Sequence, residues 1–110
     1  RLLDVAESLD DSVLHSKAKL ELALVKESSG DLDGAASLLT EAERLLNAAG
    51  DRAGLVAVNM VFGNIEEKRG RYADARSRYE EAALQAEVIG DESAMASAAR
   101  NLESLADDGR

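Results

Sequence analysis

One histidine and no cysteine stand among the 110 residues, which narrows the chemistry open to this chain. Without a thiol there is no disulfide, no thiolate metal site and no cysteine nucleophile. A lone His15 needs an orienting group or further ligands before it can act as a general base or hold a metal. Its counterparts in the repeat described below are Leu55 and Met95, which points to a packing role in the core or between helices. Carboxylates come in adjacent pairs, Asp10-Asp11, Glu66-Glu67, Glu80-Glu81 and Asp107-Asp108. Neighbours on a helix point about 100° apart, so these pairs do not converge on one ion or one proton and read as solvated faces and caps. Asp31-x-Asp33-Gly34 begins like a calcium loop but lacks the third oxygen ligand and the closing glutamate, and a helix cap explains it better. Ser16-x-x-Lys19 matches a nucleophile motif by letter only, without the companion motifs of that chemistry. Neither G-x-x-x-x-G-K-[ST] nor G-x-G-x-x-G occurs. The chain is therefore read as non-enzymatic, with no metal site and no cofactor.

Composition sets the partners. With 22 acidic against 13 basic residues the net charge is −9, which repels nucleic-acid phosphates and anionic membrane surfaces alike. No direct nucleic-acid or membrane partner is expected. No apolar run approaches the roughly 18 residues that span a bilayer, and a soluble, cytoplasmic protein is the expectation. The chain is long enough for one core and not for two. That core is mostly Leu, Val and Ala, because 45% of residues are hydrophobic while only two Tyr and one Phe are present. Proline is absent, which leaves little room for long loops.

The elements follow from punctuation. Glycines stand at 30, 50, 70 and 90, and each can end a helix by taking the left-handed conformation that other residues resist. Gly30, Gly50 and Gly90 are followed by aspartate, whose side chain can cap the next helix, while Gly70 is followed by Arg71. Helices are thus expected over residues 13–29, 32–49 and 92–107, and in the two intervals between. Leu14, Ala18, Leu22 and Val25 form the apolar stripe of the first of these. Residues 1–9 read as a separate helix, set off by cap chemistry at Asp10-Asp11-Ser12. Six helices result, and short links make neighbours antiparallel.

The pattern recurs after about forty residues. Leu22-Ala23 answers Phe62-Gly63, Gly30 answers Gly70, Leu32 answers Tyr72, Ala35 answers Ala75, Leu39 answers Tyr79 and Ala42 answers Ala82. The small residues fall where two helix backbones approach and the large ones fill the space beside them. In these positions the sequence resembles the tetratricopeptide repeat, with Phe62-Gly63, Gly70, Tyr72, Ala75, Tyr79 and Ala82 at that family's spacings. Asn59 and Lys19 stand where the family carries an early tryptophan, and its late proline is missing. The longer period is similar to that of the repeats in large ATP-dependent, LuxR-type bacterial regulators. The resemblance implies an all-α fold of antiparallel helical hairpins stacked in a superhelix. It divides residues 1–110 into a partial unit 1–15, units 16–55 and 56–95, and a partial unit 96–110, as a piece of a longer array.

The resemblance also implies a function. First helices of successive units line a concave groove, which here would present Lys17, Leu20, Leu24, Ala57, Met60, Asn64, Arg100 and Asn101, with Glu21, Val61, Ser97 and Ser104 beside them. The Lys, Asn and Arg set that clamps a peptide carboxylate in some subfamilies is absent, and an apolar stripe stands in its place. Leu22, Ala35, Leu39, Ala42, Phe62, Gly63, Tyr72, Ala75, Tyr79 and Ala82 would pack the units together. The expected function is a scaffold that receives a protein or peptide segment, of another chain or of its own, in the groove. The alternative is an effector-sensing or autoregulatory segment of a bacterial transcriptional regulator. Weak self-association is expected through the chain ends, where Leu2, Val5 and Leu9, and Met95, Leu102 and Leu105, would lack cover.

Overall fold

The computed structural model describes the backbone of residues 2–107 and the side-chain surroundings of residues 11–106. Five helices make up the described chain, with no strand among the described residues: α1 (Leu2–Ser28), α2 (Leu32–Ala49), α3 (Arg52–Lys68), α4 (Tyr72–Ile89) and α5 (Glu92–Asp107).

The turns between them are copies of one design. Gly30, Gly50, Gly70 and Gly90 all have positive φ, from 68° to 88°. The amide of the residue after each glycine donates back to the carbonyl five residues earlier: Asp31 to Lys26 (2.8 Å), Asp51 to Leu46 (3.0 Å), Arg71 to Glu66 (2.8 Å) and Asp91 to Ala86 (2.9 Å). This pairing satisfies carbonyls that a helix end would otherwise leave open. The same residue then begins the next helix. Asp31, Asp51 and Asp91 accept through Oδ1 from the amides of Gly34 (2.9 Å), Gly54 (2.9 Å) and Ala94 (3.0 Å). Arg71 makes no such side-chain cap.

Links this short turn the chain back on itself. The most extensive helix contacts are α3 with α4 and α1 with α2, followed by α4 with α5, α2 with α3, and a smaller contact of α1 with α3. The molecule measures 52 × 32 × 18 Å, and 18 Å is close to two helix diameters of roughly 10 Å each. One apolar cluster joins Ala23, Ala35, Ala36, Leu39, Ala42, Leu46, Leu55, Val58, Phe62 and Ile65, and a second joins Ala75, Tyr79 and Leu105. Between α3 and α4 there is no room for a side chain at residue 63. A Cβ on Gly63 would stand 2.4 Å from Cε1 of Tyr79, so the fully buried ring occupies the space that any other residue at 63 would need. Ala82 is buried beside it, and Tyr72 packs partly against the same cluster.

Several expectations are corrected. Residues 2–9 are not a separate helix, because α1 runs unbroken through residues 10–12. Asp10 occupies the register of Gly50 and Gly90, and an aspartate there does not stop the helix as glycine does. The described residues form five helices, where six were expected. The stripe expected to be the core face of α1 is its exposed face: Leu14 and Val25 are each 63% exposed and Leu22 is 47% exposed. Leu22 therefore does not pack the units together as its counterpart Phe62 does. The buried side of α1 instead carries Ser16, Ala23 and the partly buried Leu20. His15 is exposed and not in a core. At the other end Leu105 is fully buried against α4, and Leu102 packs beside it, so that end does not lack cover. The side chains of Leu2, Val5 and Leu9 lie outside the described residues.

Candidate functional site

The expected groove residues fall into three groups. Leu20 and Met60 lean into the two apolar clusters and are half-buried, as is Val61. Lys17, Glu21 and Leu24 are exposed on α1, and Ala57 is partly covered on α3. Arg100 and Asn101 sit on α5, which packs mainly on α4. There the Arg100 guanidinium donates to the Ser97 hydroxyl (3.1 Å). The structure thus brings α1 and α3 together, tied by the Lys68–Glu27 ion pair at 2.9 Å. It leaves the α5 residues on a different neighbour.

Where α1 and α3 meet α4, a hollow of about 440 Å³ is lined by Glu27, Asn64, Glu67, Lys68 and Tyr72. Two of these residues hold the buried Tyr79 hydroxyl, which lies 2.6 Å from Asn64 Oδ1 and 2.9 Å from Glu67 Oε1. One phenolic proton serves one of these oxygens at a time. Burial, and then the hydrogen bond and charge of Glu67, raise the Tyr79 pKa above its ordinary value. The phenol therefore stays protonated and acts as a donor. With two carboxylates and one ammonium, the hollow favours a cationic group.

A second, larger cleft of about 600 Å³ lies between α2 and α4 over α3. Its centre is Arg78, which pairs with Glu43 on α2, donates to Asn59 Oδ1 on α3 (3.2 Å) and stacks 3.9 Å above the Phe62 ring. Asn59 is buried and spends its amide on the Leu55 carbonyl (2.9 Å). At the other end Arg69 joins Glu66 (2.9 Å) on α3 to Asp33 (3.2 Å) on α2, while the Arg71 guanidinium stands 3.9 Å from Glu66. No buried polar side-chain atom among the described residues lacks a partner. The cations of this cleft are therefore engaged with its own acids, which makes it first a clasp between helix pairs.

Sequence reasoning missed this clasp, although a signal was present. In repeat register Asn59, Phe62, Glu66 and Arg78 answer Lys19, Leu22, Lys26 and Leu38. Four departures on adjoining faces of α3 and α4 mark where the second unit carries something the first does not.

Acid–base chemistry is otherwise muted. The Gly34 amide, and then Lys26, hold the Asp31 carboxyl below the usual range, and Lys19 does the same for Glu41 through a 2.9 Å contact. Both carboxylates are capping or surface groups. Among the described residues no cluster of His, Asp or Glu is placed to hold a metal. Among the described residues no helix is long and apolar enough to cross a membrane. Compared with known proteins, the chain matches no family model, no curated protein and no solved structure.

Proposed function

We propose that this chain is a tetratricopeptide-like scaffold, whose α1 and α3 hold a segment of a protein partner on their shared face. The observation that carries this reading is the repetition itself: four glycine turns with the same backbone hydrogen bond set two helix pairs side by side. Repeats of this kind stack into extended binding surfaces. Leu24 is 42% exposed on α1, while Leu20 of α1 and Met60 of α3 are half-buried. The hollow with Glu27 and Glu67 lies at one end of α1 and α3. Such a surface suits an amphipathic segment that lays apolar side chains on Leu20, Leu24 and Met60 and places a lysine or arginine in the hollow. The net charge of −9 speeds the encounter with a basic partner.

Selection from a random peptide display library against the full chain tests this. Enriched peptides should combine apolar and basic residues, and should lose at least tenfold in affinity against Leu24→Glu. Enrichment of nothing, or of peptides indifferent to Leu24→Glu, would overturn the proposal. The cleft around Arg78 favours a second reading, an effector-sensing or autoregulatory segment of a bacterial transcriptional regulator. In that reading a small polar ligand opens the clasp by competing for Arg69 or Arg71.

A further inference from the structure

The exposed stripe of α1 has two counterparts in the same molecule, and both are covered. Leu14, Ala18, Leu22 and Val25 stand in repeat register with Gly54, Val58, Phe62 and Ile65 of α3, and with Ala94, Ala98, Leu102 and Leu105 of α5. In α3 the last three are buried in a cluster with Ala35, Ala36, Leu39 and Leu46 of α2. In α5 Ala98 and Leu105 are fully buried, and Leu105 and Leu102 pack with Ala75 and Tyr79 of α4. In α1 the same positions face outward, with Leu14 and Val25 each 63% exposed. A row of apolar side chains this long is uncommon on a free helix face, and the molecule itself displays the kind of helix that fits it.

We infer that the outer face of α1 is a docking site for an amphipathic helix of the α4 kind, lying against α1 as α4 lies against α5. The choice of α4 over α2 follows from side-chain volume. At the middle positions α1 and α5 are the same, with alanine at 18 and 98 and leucine at 22 and 102, whereas α3 carries valine and phenylalanine. At the end position the difference is sharper. A Cβ on Gly54 would already stand 2.6 Å from Cδ2 of Leu46, so a helix with leucine in that place cannot seat over Leu14. The counterpart of Leu46 in α4 is Ala86, and the partner must likewise be small there. The face also sets a charge. Lys19 stands in the register of Asn59, which shares Arg78 with Glu43 of α2. The Lys19 ammonium is 30% exposed and already pairs with Glu41 of α2 at 2.9 Å, and a partner carrying a carboxylate at the Glu43 position sets a second acid beside it. The docking face is thus apolar with an acid-accepting edge, and it is distinct from the surface around Leu24.

The probe is a labelled synthetic peptide of residues 71–91, read by fluorescence anisotropy against the full chain. Saturable binding is expected, weakened at least tenfold by Leu22→Glu or Val25→Glu and unchanged by Leu24→Glu. Ala83→Glu in the peptide, which places an acid at the Glu43 position, should tighten binding several-fold, with the gain lost at high salt. A peptide of residues 31–51, with Leu46, should bind at least several-fold more weakly. Leu22 and Val25 are exposed, so both variants should keep the parent circular dichroism spectrum, and loss of binding then reports the face and not unfolding. No saturable binding of the 71–91 peptide overturns the inference. So does binding indifferent to Leu22→Glu, which would mean that the peptide replaces α4 in its own place. Concentration-dependent dimerisation abolished by Leu22→Glu would assign the face to a second copy of the chain, and would overturn it equally.

Discussion

Ala23 and Leu39 in the first helix pair occupy the positions that Gly63 and Tyr79 hold in the second. Ala23, Leu39 and Tyr79 are fully buried, and Gly63 is buried beneath the Tyr79 ring. The first pair fills the approach with an aliphatic side chain and nothing polar. The second gives up a Cβ on α3 to admit an aromatic ring, and that ring carries a hydroxyl to Asn64 and Glu67 at the far side of α3. Two volume-matched pairs thus fill the same register positions of the two helix pairs. Only the second converts its packing into a polar contact on the outer face, and only the second adds the Arg78 clasp. The difference teaches that the small residue and the large one are chosen together.

Tyr79→Ala should be the most damaging single change, costing about 3–5 kcal/mol as a cavity opens and Asn64 and Glu67 lose the one proton donor they share. Chemical denaturation measures it. A loss no greater than that of Leu39→Ala would show that the hydroxyl adds nothing to the second pair. Gly63→Ala comes next. Helix propensity favours alanine by about 1 kcal/mol, but the new methyl runs into a ring that cannot retreat, for a net loss of about 1–2 kcal/mol. In the Tyr79→Leu background the same change should turn stabilising, because the second pair then carries the residues of the first. A Gly63→Ala effect independent of residue 79 would break the comparison.

The turns permit a smaller test. Three of the four cap the next helix with aspartate, and the fourth has Arg71. Arg71→Asn restores a neutral capping oxygen without adding charge beside Glu66, and should raise stability by roughly 0.5–1 kcal/mol. An unchanged melting temperature would mean that the Arg71 contact with Glu66 matters as much as a cap. The smallest effect is on pH dependence. Tyr79 is protonated in the folded state at pH values where an unfolded tyrosine has ionised. Its contribution is fully present below the ordinary tyrosine pKa, near 10, and falls away as pH rises above that value. Tyr79→Phe should flatten the alkaline limb of stability against pH. In a Tyr72→Phe variant, where Tyr79 is the sole tyrosine, phenolate absorbance should appear only together with unfolding. Phenolate absorbance at an ordinary tyrosine pKa, with the fold intact, would contradict the buried donor.

Much of the fold was legible because its signals are local. A glycine takes positive φ without strain, and an aspartate one residue later can cap the helix that follows, so the bounds of α2 and α5 could be read from a few letters each. Ala35, Ala75 and Gly63 were legible for a related reason, since a small residue repeated in one register marks a close approach. The misreadings share another cause. Asp10-Asp11-Ser12 looked like a break because these residues can cap a helix, but with no glycine before them the backbone continues as helix. His15, Leu22 and the clasp of Arg78, Asn59 and Glu66 depend on which side of a helix receives a neighbour, and no local pattern encodes that.

The sequence by itself determined where helices end, how the chain reverses and which residues must be small, because each depends on the backbone preferences of one or two residues or on steric volume at a single contact. Only the tertiary structure decided which face of α1 is core. Leu14, Ala18, Leu22 and Val25 have helical spacing and apolar side chains, as a core stripe should, while the opposite side mixes Ser16, Leu20, Ala23 and Glu27. Apolar periodicity says that a face gains free energy if it is covered, but cover must come from another element. On α3 and α5 a helix stands on that side. On α1 the neighbour α2 meets the mixed face, so the more apolar one is left in water.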